Sequence, residues 1–225
     1  MTEDPSEPLT LNIDGQTQVS GLWLTAPEAR ACFVFGHGAG AGMRHAFMSM
    51  VAGELAQRGI ATLRYQFPYM ERRSRRPDPP AICHATVRAA CAEAARRAPD
   101  LRLLAGGKSF GGRMTSQAQA AAPLPGVNGL AFLSFPLHPA GKPAMDRAEH
   151  LRRVQVPMLF LQGTRDELAD LQLLTPVVAG LGERATLTVL EEADHSWQVP
   201  ARTGRKDAQV IVQAMDVFAR WAQSW

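Results

Sequence analysis

Leu101-Arg102-Leu103-Leu104-Ala105, Gly107-Lys108-Ser109-Phe110-Gly111 and Gly112-Arg113-Met114-Thr115-Ser116-Gln117 run in sequence as an apolar stretch, a pentapeptide and a helix-compatible segment. Strand, tight turn and helix form the context that a G-x-S-x-G nucleophile elbow requires. Such a turn forces its serine into a strained backbone conformation. Glycine at 107 and 111 lets the strand and the helix approach closely. The Ser109 hydroxyl then projects from the top of a sheet, and the first N–H groups of the new helix face any negative charge developing beside it. The bland alternative, a glycine-rich turn with no chemistry, predicts neither flank.

A nucleophilic serine needs a base and a group to orient that base. Residues 156–163 read as a buried strand that ends in Gly163-Thr164-Arg165-Asp166. Ala185-Thr186-Leu187-Thr188-Val189-Leu190 reads as another, running into Glu191-Glu192-Ala193-Asp194-His195-Ser196-Trp197. Ser109, Asp166 and His195 thus fall just past the C-terminal ends of strands, which share one edge in an open parallel sheet. The order Ser, Asp, His is that of the α/β-hydrolases and differs from the chymotrypsin and subtilisin orders. Asp170 is the reserve partner for His195. Asp194 is its chain neighbour, and adjacent side chains seldom face one another.

Acyl transfer also needs two backbone donors for the carbonyl oxygen that becomes negative. Phe110 N–H, directly after the serine, is one. The other is expected from Gly36-His37-Gly38-Ala39-Gly40-Ala41-Gly42, which follows the short apolar strand Ala31-Cys32-Phe33-Val34-Phe35. Ala39 is the first choice there and Gly40 the alternative. The loop lacks the G-x-x-x-x-G-K-[ST] pattern of a phosphate-binding turn. His37 precedes the loop and is read as a structural bridge.

With these residues in view, the chain resembles a small α/β-hydrolase group. The group includes testis-expressed protein 30, the hydrolase-like domain of an NSL chromatin-complex subunit, and bacterial proteins related to dienelactone hydrolase. The likeness lies in Gly106-Gly107-Lys108-Ser109-Phe110-Gly111-Gly112-Arg113, Phe35-Gly36-His37-Gly38-Ala39-Gly40 and Arg64-Tyr65-Gln66-Phe67-Pro68-Tyr69-Met70. It continues in Phe135-Pro136-Leu137-His138-Pro139-Ala140-Gly141-Lys142-Pro143, Gly163-Thr164-Arg165-Asp166 and Asp194-His195-Ser196. The resemblance implies an α/β-hydrolase fold and a triad of Ser109, Asp166 and His195. Dienelactone hydrolases proper carry cysteine as nucleophile where this chain has Ser109, so the resemblance does not bring dienelactone as substrate.

The chain has 225 residues, 46% of them hydrophobic, enough for one substantial core. One domain is expected over residues 1–225, with 1–8 disordered. Three cysteines cannot form a closed disulfide set. Cys32, Cys83 and Cys91 read as reduced packing residues without the paired spacing of a zinc site. The acidic, proline-containing start is unlike a signal peptide, and no apolar run approaches a bilayer span. The expected location is cytoplasmic, with no membrane partner. A net charge of +3 owes much to Glu71-Arg72-Arg73-Ser74-Arg75-Arg76-Pro77-Asp78. That cluster reads as a solvated loop ahead of a nucleic-acid surface. A third reading puts its arginines beside Ser109 to attract an anionic substrate.

Strands are expected near 9–13, 19–24, 31–35, 60–66, 101–105, 127–134, 156–162 and 185–190. The first two should form an antiparallel hairpin around Asp14-Gly15-Gln16. Helical patterns near 44–58, 80–98, 111–121, 168–180 and 207–223 alternate with the later strands. The fold class is therefore α/β, with a mostly parallel sheet covered by helices on both faces. Ser134 to Ala148 is too short for a large cap domain, so the site should be open. Gly40, His138 and Trp197 are expected to line the substrate pocket. Lys108 reads as a solvent-facing elbow residue, and His45, His84 and His150 as ordinary helix histidines.

These readings converge on a serine hydrolase of small esters or thioesters, a mechanism that needs no metal or cofactor. Acyl transfer or peptide cleavage would use the same parts. A non-catalytic hydrolase-fold interaction module is the alternative from another class, although it has no need of a strained serine. The oligomeric state is not legible.

Overall fold

The computed structural model describes residues 5–224. The strands are β1 (Glu7–Asn12), β2 (Gln18–Leu24), β3 (Ala31–Gly36), β4 (Ile60–Tyr65), β5 (Arg102–Lys108), β6 (Val127–Leu133), β7 (Met158–Gly163) and β8 (Ala185–Leu190). The helices are α1 (Ala46–Ala56), α2 (Pro68–Glu71), α3 (Pro80–Arg97), α4 (Phe110–Ala121), α5 (Leu171–Ala179) and α6 (Asp207–Gln223). The expected disorder of residues 1–8 does not reach Glu7 and Pro8, which pair with Trp23 and Leu22 in the opening hairpin. Residues 1–4 lie outside the described residues.

Among the described residues, eight strands form one sheet in the order β1-β2-β4-β3-β5-β6-β7-β8. The hairpin joins it antiparallel through β2 and β4, and every pairing from β3 onward is parallel. β3 and β4 are buried at every position, as befits parallel strands covered on both faces. Alternate residues serve opposite cores. Cys32 and Val34, Leu103 and Ala105, and Met158 and Phe160 face the core shared with α3, α4 and α5. Phe33 and Phe35, Leu104, and Leu159 and Leu161 face the one shared with α1 and α6. A strand periodicity of two thus builds a three-layer molecule.

Local chemistry sets the helix limits. α1 starts at Ala46, later than expected, because His45 caps it, its Nδ1 accepting from the Phe47 N–H at 3.2 Å. Asp170 caps α5 by accepting from the Gln172 N–H at 2.8 Å. On α3, Cys83, Thr86, Val87, Ala90, Cys91 and Ala94 recur at helical spacing and are buried. All three cysteines are free, and burial pushes their thiols up to about 12. A 3-10 segment at Asp146–Arg153 follows the 134–145 loop, whose Phe135 and Leu137 are fully buried. No large cap arises there. Among the described residues, no helix is long and apolar enough to cross a membrane.

The chain order reverses at β3, which lies between β4 and β5. The loop after β3 and the turn after β5 therefore flank the crevice where ligands bind in open α/β sheets.

Candidate active site

Ser109 occupies the turn between β5 and α4 at φ 49°, ψ −112°. This is backbone strain in a region that disfavours side chains, of order 1–3 kcal/mol. Close packing enforces it. A Cβ on Gly107 would lie 2.4 Å from the Gly36 oxygen, and one on Gly111 would lie 2.4 Å from the same atom. β3, β5 and α4 meet at these bare positions, which fixes where the serine hydroxyl emerges.

His195 Nε2 lies 2.9 Å from Ser109 Oγ. Its Nδ1 lies 2.9 and 2.8 Å from the two carboxylate oxygens of Asp166. A carboxylate can only accept, so Nδ1 carries the proton and donates it, leaving Nε2 to accept from the serine hydroxyl. Asp166 is 5% exposed and is itself held. Its Oδ1 accepts from the Leu168 N–H at 2.8 Å and its Oδ2 from Gln162 Nε2 at 2.5 Å. Asp170, the reserve partner, is occupied at the start of α5, and Asp194 accepts from the Ser196 and Gln198 N–H groups.

The Phe110 N–H is the first of α4 and has no acceptor within the helix. Opposite it, the Ala39 carbonyl accepts from the Tyr69 hydroxyl at 2.8 Å, and the Ala41 N–H closes a turn on Gly38 O at 3.2 Å. Among the described residues, no acceptor takes up the Ala39 N–H. Ala39, Gly40, Ser109 and His195 border a cavity of about 610 Å³. Phe47, Met48, Met50, Leu168 and Ile211 give it an apolar wall. Chemically, the arrangement can draw a proton from a serine and hold a negative oxygen beside two amides. Among the described residues, no three His, Cys, Asp or Glu side chains converge as a metal site.

A family model for the alpha/beta hydrolase domain matches residues 29–223. The chain belongs to this alpha/beta hydrolase family. Similar solved structures include a dienelactone hydrolase from Anabaena variabilis, 18% identical with TM-score 0.75, over 96% of this chain and 95% of that one. An alpha-beta serine hydrolase homologue from Coxiella burnetii is 17% identical with TM-score 0.75, over 98% and 97%. A serine hydrolase without a lid from Xanthomonas campestris is 21% identical with TM-score 0.74, over 98% and 96%. At these identities the likeness is one of fold.

Two expected pocket residues are elsewhere in this alpha/beta hydrolase. His138 is 3% exposed and does not border the cavity. Both its ring nitrogens are taken: Nδ1 donates to Pro139 O at 2.9 Å, and Nε2 accepts from the Asp170 N–H at 2.9 Å. It ties the 134–142 loop to the segment carrying Asp166. Trp197 is fully buried against Phe47, with ring centroids 5.2 Å apart, and so supports the His195 loop from beneath. Arg72 to Arg76 do not border the cavity either; Arg72 pairs with Asp78, which also accepts from the Tyr69 N–H. Lys108 departs most from expectation. It borders the cavity, and its amine donates to the His195 carbonyl. The one sequence signal for it was an amine in an otherwise glycine and apolar stretch.

His37 bridges two loops, as the sequence suggested. Nδ1 donates to Gly38 O at 2.8 Å, and Nε2 accepts from the Phe67 N–H at 3.1 Å. Burial pushes its pKa down to about 4, the bond to Gly38 offsetting part of that. The unfolded chain therefore binds this proton between about pH 6.5 and 4 while the folded one does not. Stability should therefore drop as the pH is lowered through that window, by about 3 kcal/mol from His37 alone. Urea melts at a series of pH values test this, and His37→Gln should flatten the slope. An unchanged slope would locate the acid sensitivity elsewhere.

Proposed function

We propose that this protein is a serine hydrolase cleaving small carboxylic esters or thioesters through an acyl-enzyme. The observation that carries the reading is the relay from a strained Ser109 through His195 to a buried, doubly held Asp166. His195 takes the Ser109 proton as Oγ bonds to the substrate carbonyl carbon. The Phe110 and Ala39 amides stabilise the oxyanion. The intermediate then expels the alcohol or thiol, which receives its proton from His195. Water, deprotonated by the same imidazole, attacks the acyl-enzyme and releases the acid and Ser109. Every step uses groups of this chain and needs no metal or cofactor.

The resemblance to the testis-expressed protein 30 and NSL-subunit group is consistent with this reading, and three free, buried cysteines suit a cytoplasmic setting. The reading requires only a small-molecule partner, neither nucleic acid nor membrane. Without a cap, the cavity lets water reach the acyl group, which favours hydrolysis over transfer.

A p-nitrophenyl ester series tests the substrate class. Acetyl to butyryl esters should show higher kcat/KM than palmitoyl esters, because the apolar wall is short and no lid encloses a long chain. A steady rise to palmitate with activation at an oil interface would contradict the reading of small substrates.

A further inference from the structure

Lys108 is the last residue of β5, between the bare elbow position Gly107 and Ser109. Its stem passes the loop after β3, with Cγ 3.8 Å from where a Cβ on Gly38 would stand. Its amine lies 5.6 Å from the centroid of the Phe47 ring on α1. There it donates to the backbone carbonyl of His195, 87 residues away in sequence. One side chain thus touches the oxyanion loop, the cavity wall and the loop that carries the base.

We propose that Lys108 is a positioning residue that tethers the backbone at His195, so that Nε2 stays within reach of the Ser109 hydroxyl. The proposal rests on the hydrolase reading for its catalytic meaning and on the geometry alone for the tether.

The base loop has anchors at its two ends. At the start, Thr164 Oγ1 accepts from the Glu192 N–H at 2.8 Å, and Ala193 O accepts from the Arg165 N–H at 2.9 Å. At the end, Asp194 and Gln198 close a backbone bond of 3.0 Å above the buried Trp197. Glu192 and Trp197 sit at φ 59° and 64°, so the chain between them turns sharply. His195 is at the middle of that span, its side chain 25% exposed, and Lys108 holds its carbonyl. Misplacing a reacting group by about 1 Å can cost about 100-fold in rate.

A lysine suits the position better than an arginine. Lys108 shares the cavity with His195, Ser109, His45 and Asp207, and Asp166 and Asp194 attract the charge of its amine. Loss of water lowers its pKa to about 7, the two aspartates opposing that shift. A neutral amine still donates to the carbonyl. It does not repel the imidazolium that forms when His195 takes the serine proton, whereas a guanidinium stays charged and would.

The test compares Lys108→Met, Lys108→Gln and Lys108→Arg in the full chain. Turnover is measured with a neutral ester, p-nitrophenyl butyrate, and an anionic one, p-nitrophenyl hemisuccinate. Imidazole 15N NMR reports the His195 tautomer. Lys108→Met should lower kcat by about 10- to 100-fold on both esters with little change in KM, and mix the His195 tautomers. Lys108→Gln, which keeps a donor, should restore most of kcat and the single tautomer, whereas Lys108→Arg should stay low. Unchanged kcat in Lys108→Met would overturn the tether. A loss confined to KM for the anionic ester would make Lys108 a substrate contact instead. A drop in melting temperature with an unaltered imidazole spectrum would leave it only a packing residue. If the wild-type chain turns over none of the esters yet Lys108→Met still scrambles an ordered His195, the tether stands and the hydrolase reading fails.

Discussion

Ser109→Ala should lower turnover of p-nitrophenyl acetate or butyrate by about four orders of magnitude or more. It should also abolish labelling by a fluorophosphonate probe. The cause is local: Ser109 Oγ is the hydroxyl that lies 2.9 Å from the His195 imidazole, and Ser109 borders the cavity. The fold should persist, because alanine keeps the Cβ and removes only the oxygen. A further variant separates the strain from the chemistry. Ser109→Gly should be as inactive but more stable than Ser109→Ala, since φ 49°, ψ −112° is more accessible without a Cβ. Probe labelling that survives Ser109→Ala would remove the mechanism.

Asp166→Asn should cost on the order of 10⁴ in kcat if the triad precedent carries over, with the packing nearly intact. Both carboxylate oxygens accept hydrogen bonds, from Leu168 N–H and from Gln162 Nε2, and both lie within reach of His195 Nδ1. An amide must replace one acceptor by a donor. Gln162 can absorb the change by turning over, because its Oε1 is buried without a hydrogen-bond partner and would then accept from the new NH2. That relaxation saves the packing. An amide nitrogen turned toward His195 instead favours the Nε2–H tautomer, which offers a proton to Ser109 where an acceptor is needed. A kcat within tenfold of wild type would show that the carboxylate does not orient the base.

The alternation of apolar strands and amphipathic helices was legible because burial on both faces and helical spacing are local patterns. The hairpin, the parallel strands and α6 follow that pattern, and the 207–223 helix was read to its residue limits. The proximity of Ser109, Asp166 and His195 was legible because each follows a strand, and parallel strands end on one edge. Contacts made across that edge were not. Nothing beside Lys108 in the chain reveals that its amine meets a carbonyl 87 residues later. Trp197 follows His195 in the chain and His138 follows a strand, which points both to the cavity, yet their surroundings come from α1 and from the segment before α5. Short pieces such as α2 and the 3-10 segment lack the length to show a period.

The long sequence separation between Ser109 and His195 has a consequence for synthesis. Ser109 and His195 are separated by 86 residues, and Trp197 beneath the base packs in the core completed by α6. A chain emerging from the ribosome forms the elbow strand and its helix well before it contains any imidazole at position 195. During that interval Ser109 is an ordinary alcohol, too weakly acidic to react with the esters and thioesters of the cell. Under the proposed mechanism, reactivity would arrive only when β8, its loop and α6 have docked. On that mechanism, folding and activation would be one event, and an incomplete nascent chain would not be trapped as a dead acyl-serine.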